Sequence, residues 1–187
     1  VGWFGFNAGS AVAAAGRAGM AMLVTQVAAA VASLTWMFSE YLLRQRVSLL
    51  GACSGAVAGL VAITPASGFV DVSGAFVIGI AAGVACYWGA TGLKRLLRAD
   101  DSLDVFGIHG IGGLVGALLT GVLASRQIGG VEGNLSSQAI AAFATLGYSA
   151  VMSLIILVVI RFTIGLRATP EQEQVGLDLA MHGERID

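Results

Sequence analysis

Asp104-Val-Phe-Gly-Ile-His109-Gly-Ile-Gly-Gly113 opens the stretch that decides the fold. Between Asp104 and Arg126 lie 21 residues, and His109 is their only ionisable side chain. About 20 apolar residues cross a ~30 Å hydrocarbon core. The stretch therefore predicts a membrane span with an imidazole inside it. An ionisable group at that depth is a functional-site candidate by default. Histidine is also the side chain best suited to handle protons near neutral pH.

The rest of the chain repeats the pattern without the histidine. Uncharged runs of 22, 24, 22 and 28 residues follow Arg17, Arg46, Asp71 and Glu132. The chain has 187 residues, 57% hydrophobic and 11% charged, against about 25% charged in a soluble domain. The predicted fold class is all-α, a polytopic membrane helical bundle. Its spans read 18–42, 47–65, 72–94, 104–125 and 137–165, with a half-span at 1–12. The net charge of −1 gives no case for nucleic acid.

Lys and Arg mark cytoplasmic loops. Alternating the loops puts Arg44, Arg46, Lys94, Arg95, Arg98, Arg161, Arg167 and Arg185 inside, with Arg17 and Arg126 outside. This divides the chain into a transmembrane domain, 1–165, and a polar cytoplasmic tail, 166–187. No basic segment precedes the apolar start, so no signal peptide is read. Opening in mid-hydrophobic sequence, the chain is expected to be a fragment.

Breaks follow backbone chemistry. Thr64-Pro65-Ala-Ser-Gly68 ends a helix, because proline cannot continue it and glycine permits the turn. Asp100-Asp101-Ser102 offers caps and first-turn acids for the His109 helix. Gly51/Gly55/Gly59, Gly5/Gly9, Gly79/Gly83 and Gly112/Gly116 are small-xxx-small rows that let helices approach closely. Cys53 and Cys86 lie in apolar stretches and are read as small buried hydrophobes. Trp36, Tyr41, Tyr87, Trp88 and Tyr148 are candidates for interfacial belts.

Trp3, Phe6, Asn7 and Ser10 fall on one helical face. That pattern fits a hydrophobic gate beside a polar acceptor. It equally fits plain packing, with Ser10 bonded to its own i−4 carbonyl. For His109 the choice is between a pore-facing imidazole and a core histidine bonded across helices. Gly107, Gly110, Gly112 and Gly113 leave room for a narrow lumen beside the ring. Asp104 lies too far along the helix to touch the imidazole, and suits a helix start or a polar pore mouth. His182 is read as a solvated residue. No nucleophile, carboxylate pair, metal cluster or phosphate loop is visible, so no enzyme activity, metal or cofactor is expected.

Five motifs in order carry a resemblance: Gly2-Trp-Phe-Gly-Phe-Asn-Ala-Gly-Ser10, Gly51 through Pro65, Leu93 through Asp101, Asp104-Val-Phe-Gly-Ile-His-Gly110, and Gly165-Leu-Arg with Gly176-Leu-Asp and His182-Gly-Glu184. Together they resemble the ammonium transporter family (Amt/MEP, with the Rhesus proteins as distant relatives). The resemblance implies an eleven-helix fold in the plasma (inner) membrane, built on an inverted repeat and assembled as a homotrimer with one pore per subunit. These residues would be its sixth to eleventh helices and tail. Phe6 would gate the pore, Ser10 would belong to the outer ammonium-recognition site, and His109 would be the second of two pore histidines. Asp104 would stand at the cytoplasmic mouth. The tail would dock a PII-type signal protein. The first pore histidine and the other gate phenylalanine would belong to helices outside these residues. An ammonium sensor and a non-conducting half-length subunit are the alternatives left open.

Overall fold

The computed structural model describes residues 1–98 and 100–184. Arg185, one of the cations assigned to the inside, and the tail's Asp187 lie outside the described residues. The described residues contain helices and no strands. The elements are α1 (Gly2–Gly9), α2 (Gly16–Arg44), α3 (Leu49–Ile63), α4 (Val72–Trp88), α5 (Lys94–Leu97), α6 (Ile111–Leu123), α7 (Arg126–Gly129), α8 (Leu135–Thr163) and α9 (Pro170–Val175). There are also three wider π turns: π1 (Gly89–Leu93) between α4 and α5, π2 (Phe106–Gly110) ahead of α6, and π3 (Asp178–His182) after α9. The chain divides into two compact units, Val1–Phe143 and Ala144–Asp187.

Helices long and apolar enough to cross a membrane are Gly16–Arg44, Val72–Leu97, Phe106–Leu123 and Leu135–Thr163. They correspond to four of the five expected spans. The fifth, expected over 47–65, forms the 15-residue α3. Two local signals shorten it. Ser48 caps its start, its Oγ accepting from the Gly51 N–H at 2.9 Å, and the turn around Pro65 ends it. The half-span at 1–12 is helical only over α1, with Val12 at φ 56° beyond it.

Side chains fix the ends of the other helices. Glu40 of α2, 5% exposed, accepts from both the N–H (3.1 Å) and Oγ–H (3.0 Å) of Ser48, tying α2 to the start of α3. Asp101 accepts from the N–H groups of Val105 (2.8 Å) and Phe106 (2.9 Å), ahead of π2, as its position suggests. Asp71 caps α4, accepting from the Gly74 N–H (2.8 Å) and the Ser73 hydroxyl (2.7 Å). These bonds hold its carboxyl below the ordinary carboxylate range, the Gly74 bond foremost. A depressed folded value contributes stability above that range and loses it as pH falls through the folded value. Asp71→Ala is therefore expected to lower stability by about 1 kcal/mol at neutral pH. The deficit should shrink on acidification below about pH 3.9, as read by thermal unfolding in detergent.

The first unit packs on α2. Val24, Ala28 and Ala32 of α2 meet Ala62 and Ile63 of α3, and Ala75, Ile78 and Ala82 of α4, in one buried cluster. The glycine rows explain the close approach. A Cβ on Gly59 would overlap the Ala28 carbonyl, and one on Gly83 would stand 2.6 Å from Thr35 Cβ. One on Gly116 of α6 would overlap the carbonyl of Ala62. Gly5 and Gly9 have nothing within 4 Å, so the α1 row receives no partner helix among the described residues. Trp36 and Tyr87 are buried edge-to-face at 5.5 Å, as core rather than belt residues. Cys86 is buried as expected, but Cys53 is exposed, because it sits on a face of α3 turned away from the cluster. No residue of α8 is buried, and its apolar side chains face outward.

Candidate functional site

His109 sits on π2 with its side chain exposed on the flank of the first unit. No protein group among the described residues hydrogen-bonds the imidazole, so the structure gives no support to a core histidine bonded across helices. Its neighbour is Trp3 of α1. The two rings are stacked, with centroids 6.4 Å apart and an interplanar angle of 27°. On its other side Trp3 meets Phe6 edge-on, at 6.3 Å and 65°. Phe6, Trp3 and His109 therefore form one aromatic row. Val1, Gly2, Trp3, Phe6 and Leu60 line a cavity of about 520 Å³ beside it.

A polar chain, half-buried at Trp3 and Thr64 and buried at Asn7 and Thr25, holds Trp3 in place. Its Nε1–H donates to Thr64 Oγ1 at 2.8 Å. Thr64 Oγ1 lies 2.8 Å from the Leu60 carbonyl and 3.2 Å from Asn7 Oδ1. Asn7 Nδ2 donates to Thr25 Oγ1 at 2.9 Å, and the single Thr25 hydroxyl proton goes to the Ala21 carbonyl at 2.6 Å. That commitment fixes the amide of Asn7: its nitrogen must face Thr25 and its oxygen Thr64. Asn7 is 3% and Thr25 0% exposed.

Ser10, the C-cap of α1, is exposed and donates to the Phe6 carbonyl at 2.7 Å, the i−4 bond foreseen as its packing role. With Asn7, Arg17, Thr64 and Ser67 it also lines a polar cavity of about 150 Å³. Arg17 closes the far side, its Nε donating to the Gly68 carbonyl (3.1 Å) and its guanidinium 4.7 Å from the centre of the Phe69 ring. Asp104 precedes the helix but turns away from the imidazole. Its Oδ1 pairs with Lys94 Nζ at 2.7 Å. Both line a third cavity of about 490 Å³ that includes Glu40, Arg44, Arg95 and Arg98.

Of the residues singled out in the sequence, Phe6 and His109 are brought together through Trp3. Ser10 stands at one end of the row, and Asp104 is set apart in the charged cavity. Sequence reasoning missed the ring stack, the Asn7–Thr64–Thr25 chain and the lysine partner of Asp104. One signal was available: an asparagine in an apolar helix needs hydrogen-bond partners.

Apolar spans, glycine-packed crossings and a histidine on an exposed flank define a multi-pass helical membrane protein. The model of the Ammonium Transporter Family matches residues 1–186. An ammonium transporter of Aquifex aeolicus is 47% identical over 191 residues, covering 98% of this chain and 45% of the relative. One of Mycobacterium bovis is 47% identical over 198 residues, covering 98% and 41%. Among solved structures, Saccharomyces cerevisiae Mep2 superposes with TM-score 0.85 at 36% identity, covering 91% of this chain and 41% of that one. A structure described as a Sensor Amt Protein gives 0.89 at 30%, covering 96% and 46%. The chain belongs to the ammonium transporter family, whose named members are transporters rather than enzymes. It spans a little under half the length of these curated relatives.

Proposed function

We propose that these residues form part of a pore that moves ammonium or ammonia across the plasma (inner) membrane. The observation that carries this reading is the row Phe6–Trp3–His109, whose imidazole hydrogen-bonds no protein group among the described residues and lies in the helix Phe106–Leu123, long and apolar enough to cross a membrane. Polar groups end the row near Ser10, and apolar side chains line its cavity.

Ammonium and potassium are alike in size and charge, so a site built on size alone passes both. Ammonium differs in donating hydrogen bonds and in losing a proton. Aromatic faces attract the cation, and the Ser10 oxygen accepts a hydrogen bond. The apolar lumen then penalises a bare charge by several kcal/mol. Ammonia crosses after deprotonation, with Phe6 as gate and His109 holding ammonia or relaying the proton, and leaves past Asp104. Potassium has no such route. The basic residues support a cytoplasmic C-terminus for the tail, 166–187. In this reading the assembly is a homotrimer, with a PII-type signal protein docking at the cytoplasmic face.

The test is transport by the purified full-length protein in vesicles loaded with a pH dye. An ammonium pulse is expected to produce a signal above empty vesicles, and a potassium pulse none. No difference from empty vesicles would overturn the reading. The resemblance to the Sensor Amt Protein supports a second reading, in which ammonium binds and is sensed. Saturable ammonium binding without flux would favour it.

A further inference from the structure

We infer that Gly89, Gly107 and Lys94 are positioning residues for His109, acting through a pair of facing π turns. The inference rests on the transport function proposed for these residues. His109 lies between two fixed ends. On one side Gly112 and Gly116 seat α6 against α3. On the other, Asp101 holds Val105 and Phe106, and Lys94 holds Asp104. The turn between those ends is a π turn. A π turn takes up one more residue than an α turn, which shifts the residues it carries by about 100° in azimuth relative to α6, the helix that continues from it. The type of this turn therefore decides where the imidazole points, and so whether it stacks on Trp3.

Three contacts hold π2, all from the helical rod Val72–Leu97. Its backbone touches π1 where Gly89 meets Gly107. A Cβ on Gly107 would stand 2.6 Å from Ala90 N, and one on Gly89 2.8 Å from the Gly107 carbonyl oxygen. The Cys86 thiol donates to the Ile108 carbonyl at 3.5 Å. Lys94, the residue that ends π1, pairs with Asp104 at 2.7 Å, two residues before π2 begins. That pair is about one-third exposed on each side, so its contribution to folding is small. Asp104 meanwhile holds φ 56°, a left-handed conformation that aspartate adopts more readily than most residues. The ion pair and this backbone turn together place the start of π2.

The test is a double-mutant cycle in the full-length protein in vesicles, reading the rate of ammonium flux above empty vesicles. Lys94→Met is expected to lower that rate about fivefold. Lys94→Arg should restore it to within about twofold. In a His109→Ala background, Lys94→Met should add less than about twofold. An equal effect of Lys94→Met in both backgrounds would overturn the inference, since Lys94 would then act on the mouth or on the fold. So would no effect in the native background. If His109→Ala alone leaves transport unchanged, the proposed transport role of the imidazole fails and this inference falls with it. Gly107→Ala is the second variant, expected to match Lys94→Met. Should it not fold, the Lys94 cycle still decides.

Discussion

In the full-length protein, His109→Ala is expected to cut methylammonium transport by at least about tenfold without lowering the yield of folded protein. The folding expectation follows from the site. The imidazole is exposed on its flank and bonds no protein group among the described residues, so removing it strands no partner. The transport expectation follows from the lumen. A charged group at the centre of a span costs about 2.5–3.5 kcal/mol on insertion scales, or about a hundredfold in rate. A path that sheds the proton avoids that cost, and His109 is the proton-handling group on the aromatic row. His109→Glu tests the same argument from the other side. A carboxylate there gives a bare cation a counter-charge, so potassium flux is expected to appear. If both variants carry methylammonium at the native rate and still exclude potassium, the proton-handling role is wrong.

Gly116→Leu is expected to destabilise the bundle by about 3 kcal/mol or more. A Cβ there overlaps the Ala62 carbonyl and stands 2.7 Å from its carbon, so the clash is with backbone. α3 cannot retreat, because Gly59 is pressed as closely against Ala28 of α2. The measurement is the melting temperature and the monodisperse yield in detergent, with a fall on the order of 10 °C expected. Gly147→Ala on α8 is the control. Nothing lies within 4 Å of Gly147, and the substitution should be neutral. Equal loss in the two variants would mean that the glycine crossings are not what limits packing.

The spans were legible because charge is so unevenly spread, and two of the breaks because Pro65 and Asp101 act locally; the caps at Ser48 and Asp71 were not read. His109 stood out because an imidazole among apolar residues is costly wherever the chain goes. What was not legible depends on side chains distant in sequence. Nothing near Trp3 announces that its ring will stack on His109, and nothing near Asp104 announces Lys94. The π turns left no mark either. One additional residue in a turn changes the azimuth without changing composition. Cys53 and Cys86 have similar surroundings in sequence, and only the face each helix presents separates them. Asn7 was grouped with Phe6 and Ser10, but it is buried while they are exposed, and the threonines it meets could not be named.

The shortness of α3 has a consequence for how this sequence can drift. Fifteen residues rise about 22 Å, less than the ~30 Å apolar layer. The remaining depth is met by irregular backbone at 64–70, which lipid tolerates only where protein satisfies it. Three carbonyls there have donors from outside the ladder of helix bonds: Ser67 for Thr64, Arg17 for Gly68 and the Ser125 N–H for Phe69. Thr64, Ser67 and Arg17 also line the polar cavity beside Ser10. Mending the broken backbone and lining the cavity thus fall to the same side chains. A lineage that alters the chemistry of that chamber must rebuild the break in the helix as well, so the two traits are inherited together.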